Sequence, residues 1–161
     1  MRPVTSQPGY SEADLETLLA SGQFVFADCF TITLNNGIDK LRYTTAQHSV
    51  SVVPVGDPMR VTYRADLVLI EGLRFSVGIG TEVDEQQITL SYAENHTVQG
   101  QSFALALRLG WFDGAVITRD RFFAASWGSP WVGGIPMFAG KISTLDSVGR
   151  MRATLKVRSA L

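Results

Sequence analysis

The chain has 161 residues, enough for one ordinary domain that buries roughly 70% of the surface its unfolded form exposes, so neither a metal nor a disulfide is needed for stability. Hydrophobic residues make up 45% and charged residues 18%, which excludes a disordered segment, and the net charge of −1 argues against nucleic acid as a main or sequence-specific partner. The single cysteine, Cys29, excludes an intrachain disulfide and any thiolate cluster drawn from this chain alone, in keeping with synthesis in a reducing cytoplasm.

The first ten residues lack the apolar run of a signal peptide, and no later stretch has the length needed to cross a bilayer, so no membrane role is expected. Residues 1–22 read as an N-terminal arm with a short helix. Ser11 is an N-cap type with Asp14 three residues on, Leu15, Leu18 and Leu19 share one face, and Gly22 ends the run. Those leucines either pack inside the domain or latch onto a neighbouring subunit.

From Gln23 the period becomes two. Phe24 and Phe26 precede Phe30, Ile32 and Leu34, which alternate with Thr31 and Thr33, in a strand with a bulge expected near Asp28. Asn35-Asn36-Gly37 tolerates positive φ and should turn the chain into a partner carrying Leu41 and Tyr43. Cys29, inside the first strand, reads as a small buried hydrophobe.

A proline-flanked turn, Pro54 to Pro58, leads to a strand over Met59 to Glu71, and a further strand carries Leu73, Phe75 and Val77. Ile88, Leu90 and Tyr92 alternate with Thr89 and Ser91 in the next one. Ser102 to Leu109 fits both periods, but its alanines and leucines and the following Gly110 favour a helix with Phe103, Ala106 and Leu107 on one face. Trp111 to Gly114 then turns into a strand from Ala115 to Phe123.

The segment Ser126 to Pro136 reads as a loop, Met137 to Thr144 as a strand, and Asp146 to Gly149 as a turn. In the last run Met151, Ala153, Leu155 and Val157 alternate with Arg150, Arg152, Thr154, Lys156 and Arg158, giving one apolar and one cationic face. Eight to ten strands with one or two short capping helices make a mainly β single domain over residues 1–161, a Greek-key barrel or a sandwich.

No catalytic, cofactor or metal site emerges. His48 and His96 are far apart and stand at no metal-ligand spacing from each other or from Cys29. The acidic run Glu82, Asp84 and Glu85 lacks the glycine and spacing of a calcium loop, and no nucleophile elbow, phosphate-binding loop or dinucleotide fingerprint is present. Glu82 with Asp84 is the one weak carboxylate pair for a glycan hydrolase.

What remains points to contacts. Trp127, Trp131, Val132 and Ile135 put large apolar groups in a loop that either meets a partner or folds back onto the core. Arg150, Arg152, Lys156 and Arg158 line either a solvated face or an assembly edge whose charges prevent mispairing. With Leu15, Leu18 and Leu19 these are the candidate interface residues. The alternative use of Trp127 and Trp131 is as a stacking platform in a carbohydrate- or small-ligand-binding barrel.

Taken in order, Leu73-Arg74-Phe75, the stretch from Glu82 to Leu90, Phe103 to Gly110 followed by Trp111-Phe112-Asp113-Gly114-Ala115, Phe138-Ala139-Gly140-Lys141-Ile142 and the closing Ala153 to Leu161 resemble the tail-tip hub and minor tail proteins of long-tailed phages and gene-transfer agents. The resemblance covers most of the chain from about residue 15 and corresponds to the N-terminal hub region of proteins like minor tail protein L. It implies a barrel subunit of a virion tail tip or baseplate, and a homo-oligomeric ring, a trimer ahead of a hexamer. Its implied neighbours are the distal tail or tail tube protein above, a central fibre or spike protein below, and the tape measure protein. The implied work is sealing the lumen and gating DNA ejection, with no enzymatic activity. Larger relatives continue into a cysteine-bearing region that can hold an iron-sulfur cluster; with Cys29 alone, no cofactor carries over.

Overall fold

The computed structural model describes residues 5–54, 59–65, 67–72 and 85–159. In chain order the elements are β1 (Thr5–Ser6), α1 (Glu12–Ala20), β2 (Val25–Thr33), β3 (Lys40–Thr44), β4 (Val50–Val52), β5 (Val61–Tyr63), β6 (Val68–Glu71), β7 (Glu85–Tyr92), β8 (Thr97–Val98) and β9 (Gln101–Ser102). α2 (Phe103–Arg108), β10 (Val116–Ala124), β11 (Trp131–Val148) and β12 (Arg152–Ser159) complete the chain. The main sheet runs β3-β2-β10-β11-β12-β7-β6, antiparallel throughout, so the C-terminal meander β10–β12 sits between the β2–β3 hairpin and the β6–β7 pair. The fold is mainly β, a sheet curled into a half-barrel with two short helices.

Local chemistry explains most elements. α1 starts in a capping box: the Ser11 hydroxyl accepts from the Asp14 N–H, and the Asp14 carboxylate accepts from the Ser11 N–H. α2 is capped by Ser102, and Gly110 leaves it at φ +82°, a conformation that costs a glycine least. The β2–β3 hairpin turns where Asn36 Oδ1 accepts from the amides of Ile38 and Asp39.

The curl encloses the largest apolar centre. Phe30, Ile32 and Leu34 of β2, Ile88 and Leu90 of β7, and Ala153, Leu155 and Val157 of β12 meet Phe103, Ala106 and Leu107 of α2 there. Each fully buried Leu, Ile, Val or Phe contributes roughly 1.5–3 kcal/mol. Two smaller centres lie at the other end of the sheet. Ala27, Cys29 and Phe122 pack under Val50, Val52 and Tyr63 of the β4–β5 hairpin, and Leu15 of α1 packs on Phe123 and Val132.

Four readings of the sequence need correction. β2 pairs with β10 without a register break from Val25 to Thr33, so no bulge lies at Asp28; the breaks occur where β11 meets β10 and β12. The segment from Met59 to Glu71 holds two short strands, Val61–Tyr63 and Val68–Glu71, and Arg64 just after the first bridges to Tyr43. Ser126 to Pro136 is a loop only up to Pro130: β11 begins at Trp131 and runs for 18 residues, through the expected Asp146 turn as well. Gly134 is required because a Cβ there would come within 2.7 Å of the Phe122 ring, and Pro136 sits at the register break opposite Asp120, where a missing N–H is tolerated. Finally, β12 lies between β11 and β7, so its cationic residues stand on a sheet face, not on an edge; Met151 precedes it and is exposed. The strand expected over Leu73 to Val77, and Glu82 and Asp84, fall outside the described residues.

Candidate assembly interface

The interface candidates divide into three groups. Leu15 is 1% exposed and Val132 8%, both packed in one centre with Phe123, and Leu18, Leu19 and Ile135 close around them half-buried. These leucines therefore face the chain's own β10 and β11. Trp131 lies against the centre beneath the β4–β5 hairpin, while Trp127 stays 50% exposed and meets Trp131 edge-to-face at 5.9 Å and 78°. On the open face of β12, Arg158 bonds Glu85 of β7 at 3.1 Å, and Arg150, beyond the strand, reaches Glu94 at 3.4 Å. Both pairs are exposed and contribute little to stability. Arg152 and Lys156 share that face with Thr154, opposite Ser91, Gln87 and Thr89. The tryptophans and the basic face do not converge: Trp131 opens β11, whereas β12 joins it only from Gly140 onward.

The structure adds residues whose signal was present but unread. Period two along Arg119-Asp120-Arg121 places two cations on one face of a central strand and a carboxylate on the other. On the first face Asp28 of β2 receives Arg119 at 3.0 Å and Arg121 at 2.9 Å, and the Arg121 guanidinium also covers the Phe26 ring at 4.2 Å. Phe26 remains 46% exposed. With Trp127, Thr45 and His48 it lines a groove of about 500 Å³.

On the second face Asp120 lies opposite Cys29 on the side covered by the β4–β5 hairpin, and burial pushes its carboxyl up to about 6. Burial likewise raises the Cys29 thiol, so this cysteine is inert packing. The Tyr63 hydroxyl meets Thr31 at 3.0 Å and is pushed up to about 12, chiefly by burial. His96 contacts the Tyr43 hydroxyl at 2.8 Å and stacks on Phe103; burial lowers it, so it stays neutral at neutral pH. No group of three or more His, Cys, Asp or Glu able to hold a metal occurs among the described residues, and no described helix is long and apolar enough to cross a membrane.

The arm has its own lock. Gln7, 3% exposed, donates from Nε2 to the Val53 carbonyl at 2.9 Å and accepts the Val53 N–H at 2.8 Å, a side chain taking the place of a strand. Beside it β1 pairs with Gly133 and Gly134 of β11. An eighth strand thus covers that edge of the main sheet.

The described residues thus form a curled, antiparallel half-barrel with a locked arm. The family described as baseplate hub protein, N-terminal attachment domain, matches residues 12–161. The chain belongs to this family. It is a structural domain of the phage tail baseplate, located in the virion tail. Among solved structures, a chain in the virion of a native gene transfer agent particle superposes with a TM-score of 0.64 at 19% identity, over 93% of this chain and 45% of that one. That likeness shows the shared fold. The present chain spans under half the length of its structural neighbour. No curated protein matches it.

Proposed function

We propose that this attachment domain forms a closed ring at the tail tip, a trimer ahead of a hexamer, that joins the distal tail or tail tube protein to the central fibre or spike and helps gate DNA ejection. The observation that carries this reading is the family match over residues 12–161, nearly the whole chain, to a domain named for attachment. Supporting it, the candidate contact residues with surface to offer lie on two separate parts of the fold: Trp127 in the β10–β11 connection, and Arg152, Lys156 and Arg158 on the face of β12. A subunit that must touch both a ring neighbour and the layers above and below needs more than one such surface. The tape measure protein is a further neighbour in this arrangement. No catalytic step is assigned.

The carbohydrate-binding alternative is not favoured by geometry: the two tryptophan rings stand at 78° to one another, so they offer no common plane on which a sugar chain would stack. Mass photometry of the purified chain mixed with its tail neighbours tests the proposal. A ring-sized species containing three or six copies is expected, and a chain that stays monomeric with every neighbour and is absent from particles would sink it.

A further inference from the structure

At the end of the sheet that carries α1, four strands of the described residues lie side by side: β2, β10, β11 and β1. One margin of this end is closed by the chain's own N-terminal strand, pairing Thr5 with Gly134 and Ser6 with Gly133. The other margin is the first half of β2, and among the described residues no strand pairs with it, because β3 pairs with β2 only from Cys29 to Thr33.

Which backbone groups face that margin follows from the direction of one carbonyl. The Asp28 carbonyl accepts from the Thr45 N–H at 3.3 Å and from the Thr44 hydroxyl at 2.8 Å, so it points away from β10. In an antiparallel strand the N–H and C=O of one residue point the same way and alternate along the chain. The Asp28 N–H and both backbone groups of Phe26 therefore point outward, while those of Ala27 and Cys29 serve β10. No described residue bonds the outward groups. The groove lined by Phe26, Thr45, His48 and Trp127 runs along them. Phe26 and Trp127, both about half exposed, place aromatic surface where an added strand would lay its side chains.

We infer that the Val25–Asp28 margin of β2 is a strand-addition site that receives an extended segment of a neighbouring tail subunit. The segment pairs with the backbone of Phe26 and the Asp28 N–H and sets an apolar side chain between Phe26 and Trp127. An unpaired row of main-chain donors and acceptors is complementary to an extended backbone and to little else, and the aromatic walls choose an apolar residue at alternate positions. The inference rests on the attachment-domain reading, because it takes the strand from a tail neighbour.

Amide hydrogen exchange on the free chain and on the chain within assembled tails tests it. In the free chain Phe26 and Asp28 should exchange quickly and Ala27 and Cys29 slowly; in tails the first two should slow by at least about tenfold. Two variants separate backbone from side chain. Phe26→Pro and Phe26→Val both remove the ring, and only the proline also removes the N–H, which no described residue accepts; Phe26→Pro should cut incorporation into tails by about tenfold or more, whereas Phe26→Val should incorporate severalfold better. Equal incorporation of the two variants, or unchanged exchange at Phe26 and Asp28 in tails, overturns the strand addition while leaving the hub reading intact. A wild-type chain missing from tails overturns both.

Discussion

The two ends of the curled sheet are built on different physics. Around α2 the interior is apolar, with Ile32, Ile88, Leu90, Leu155 and Val157 converging on Phe103, and His96 settled as a neutral partner of Tyr43. Around α1 the apolar centres are small, and polar clamps complete them: Gln7 on Val53, Asp28 between two arginines, Thr31 on Tyr63, with Asp120 held among them. β2 belongs to both, giving Phe30 and Ile32 to one and Ala27 and Cys29 to the other. Contact surface follows this division: the end completed by clamps rather than by volume is the one that leaves Phe26 and Trp127 half-exposed.

If volume governs the α2 end, Phe103→Ala should have the largest effect. It removes a ring that meets Tyr43, Tyr92, His96 and Phe112, and should cost about 3–5 kcal/mol in urea unfolding, nearly independent of salt. A loss under about 1 kcal/mol would mean that this core is not the stabilising one.

At the other end Asp28→Asn should cost about 2 kcal/mol, less than a fully buried pair because Arg121 keeps some water, and the loss should shrink as salt screens the two arginines left side by side. A salt-independent loss would place the effect in packing.

Asp120 sharpens the contrast through pH. Its folded-state value is raised, to about 6, so the native chain holds this proton more tightly than the unfolded chain. The resulting stability is complete below the ordinary carboxylate range and disappears as pH rises through about 6. Asp120→Asn should remove that slope and leave the variant more stable than wild type at neutral pH, on the order of 2 kcal/mol, as pH-dependent denaturation would reveal. An unchanged slope would show that Asp120 is solvated. Smallest of the four, Gln7→Ala strands the Val53 N–H and C=O and should cost about 1–2 kcal/mol, with faster exchange at Gln7 and Val53 but not at Leu155.

The same division governs how far the sequence is readable. The α2 end follows from period two and local propensity: Phe30 to Leu34, Ile88 to Tyr92, Ala153 to Val157 and the helix ended by Gly110 all stand where alternation and composition place them. The α1 end depends on partners far apart in sequence. Asp28 meets Arg119 and Arg121 across more than ninety residues, and Gln7 meets Val53 across 46, spacings that no local pattern encodes. Gly133, Gly134 and Pro136 read as loop because composition cannot reveal that Phe122 needs the space or that a register break accommodates the proline. Of the candidate contact residues, Trp127 was legible as an exposed aromatic, whereas Phe26 resembled an ordinary core position until its missing neighbour strand was visible.

The proposed place of this attachment domain is a ring at the tail tip. Cryo-electron microscopy of tails that carry the chain tests it most directly. The expected result is a closed ring of copies between the tube and the central fibre, with the half-barrel fitting the density; density at that level explained without this chain, or the chain found elsewhere in the particle, would contradict it.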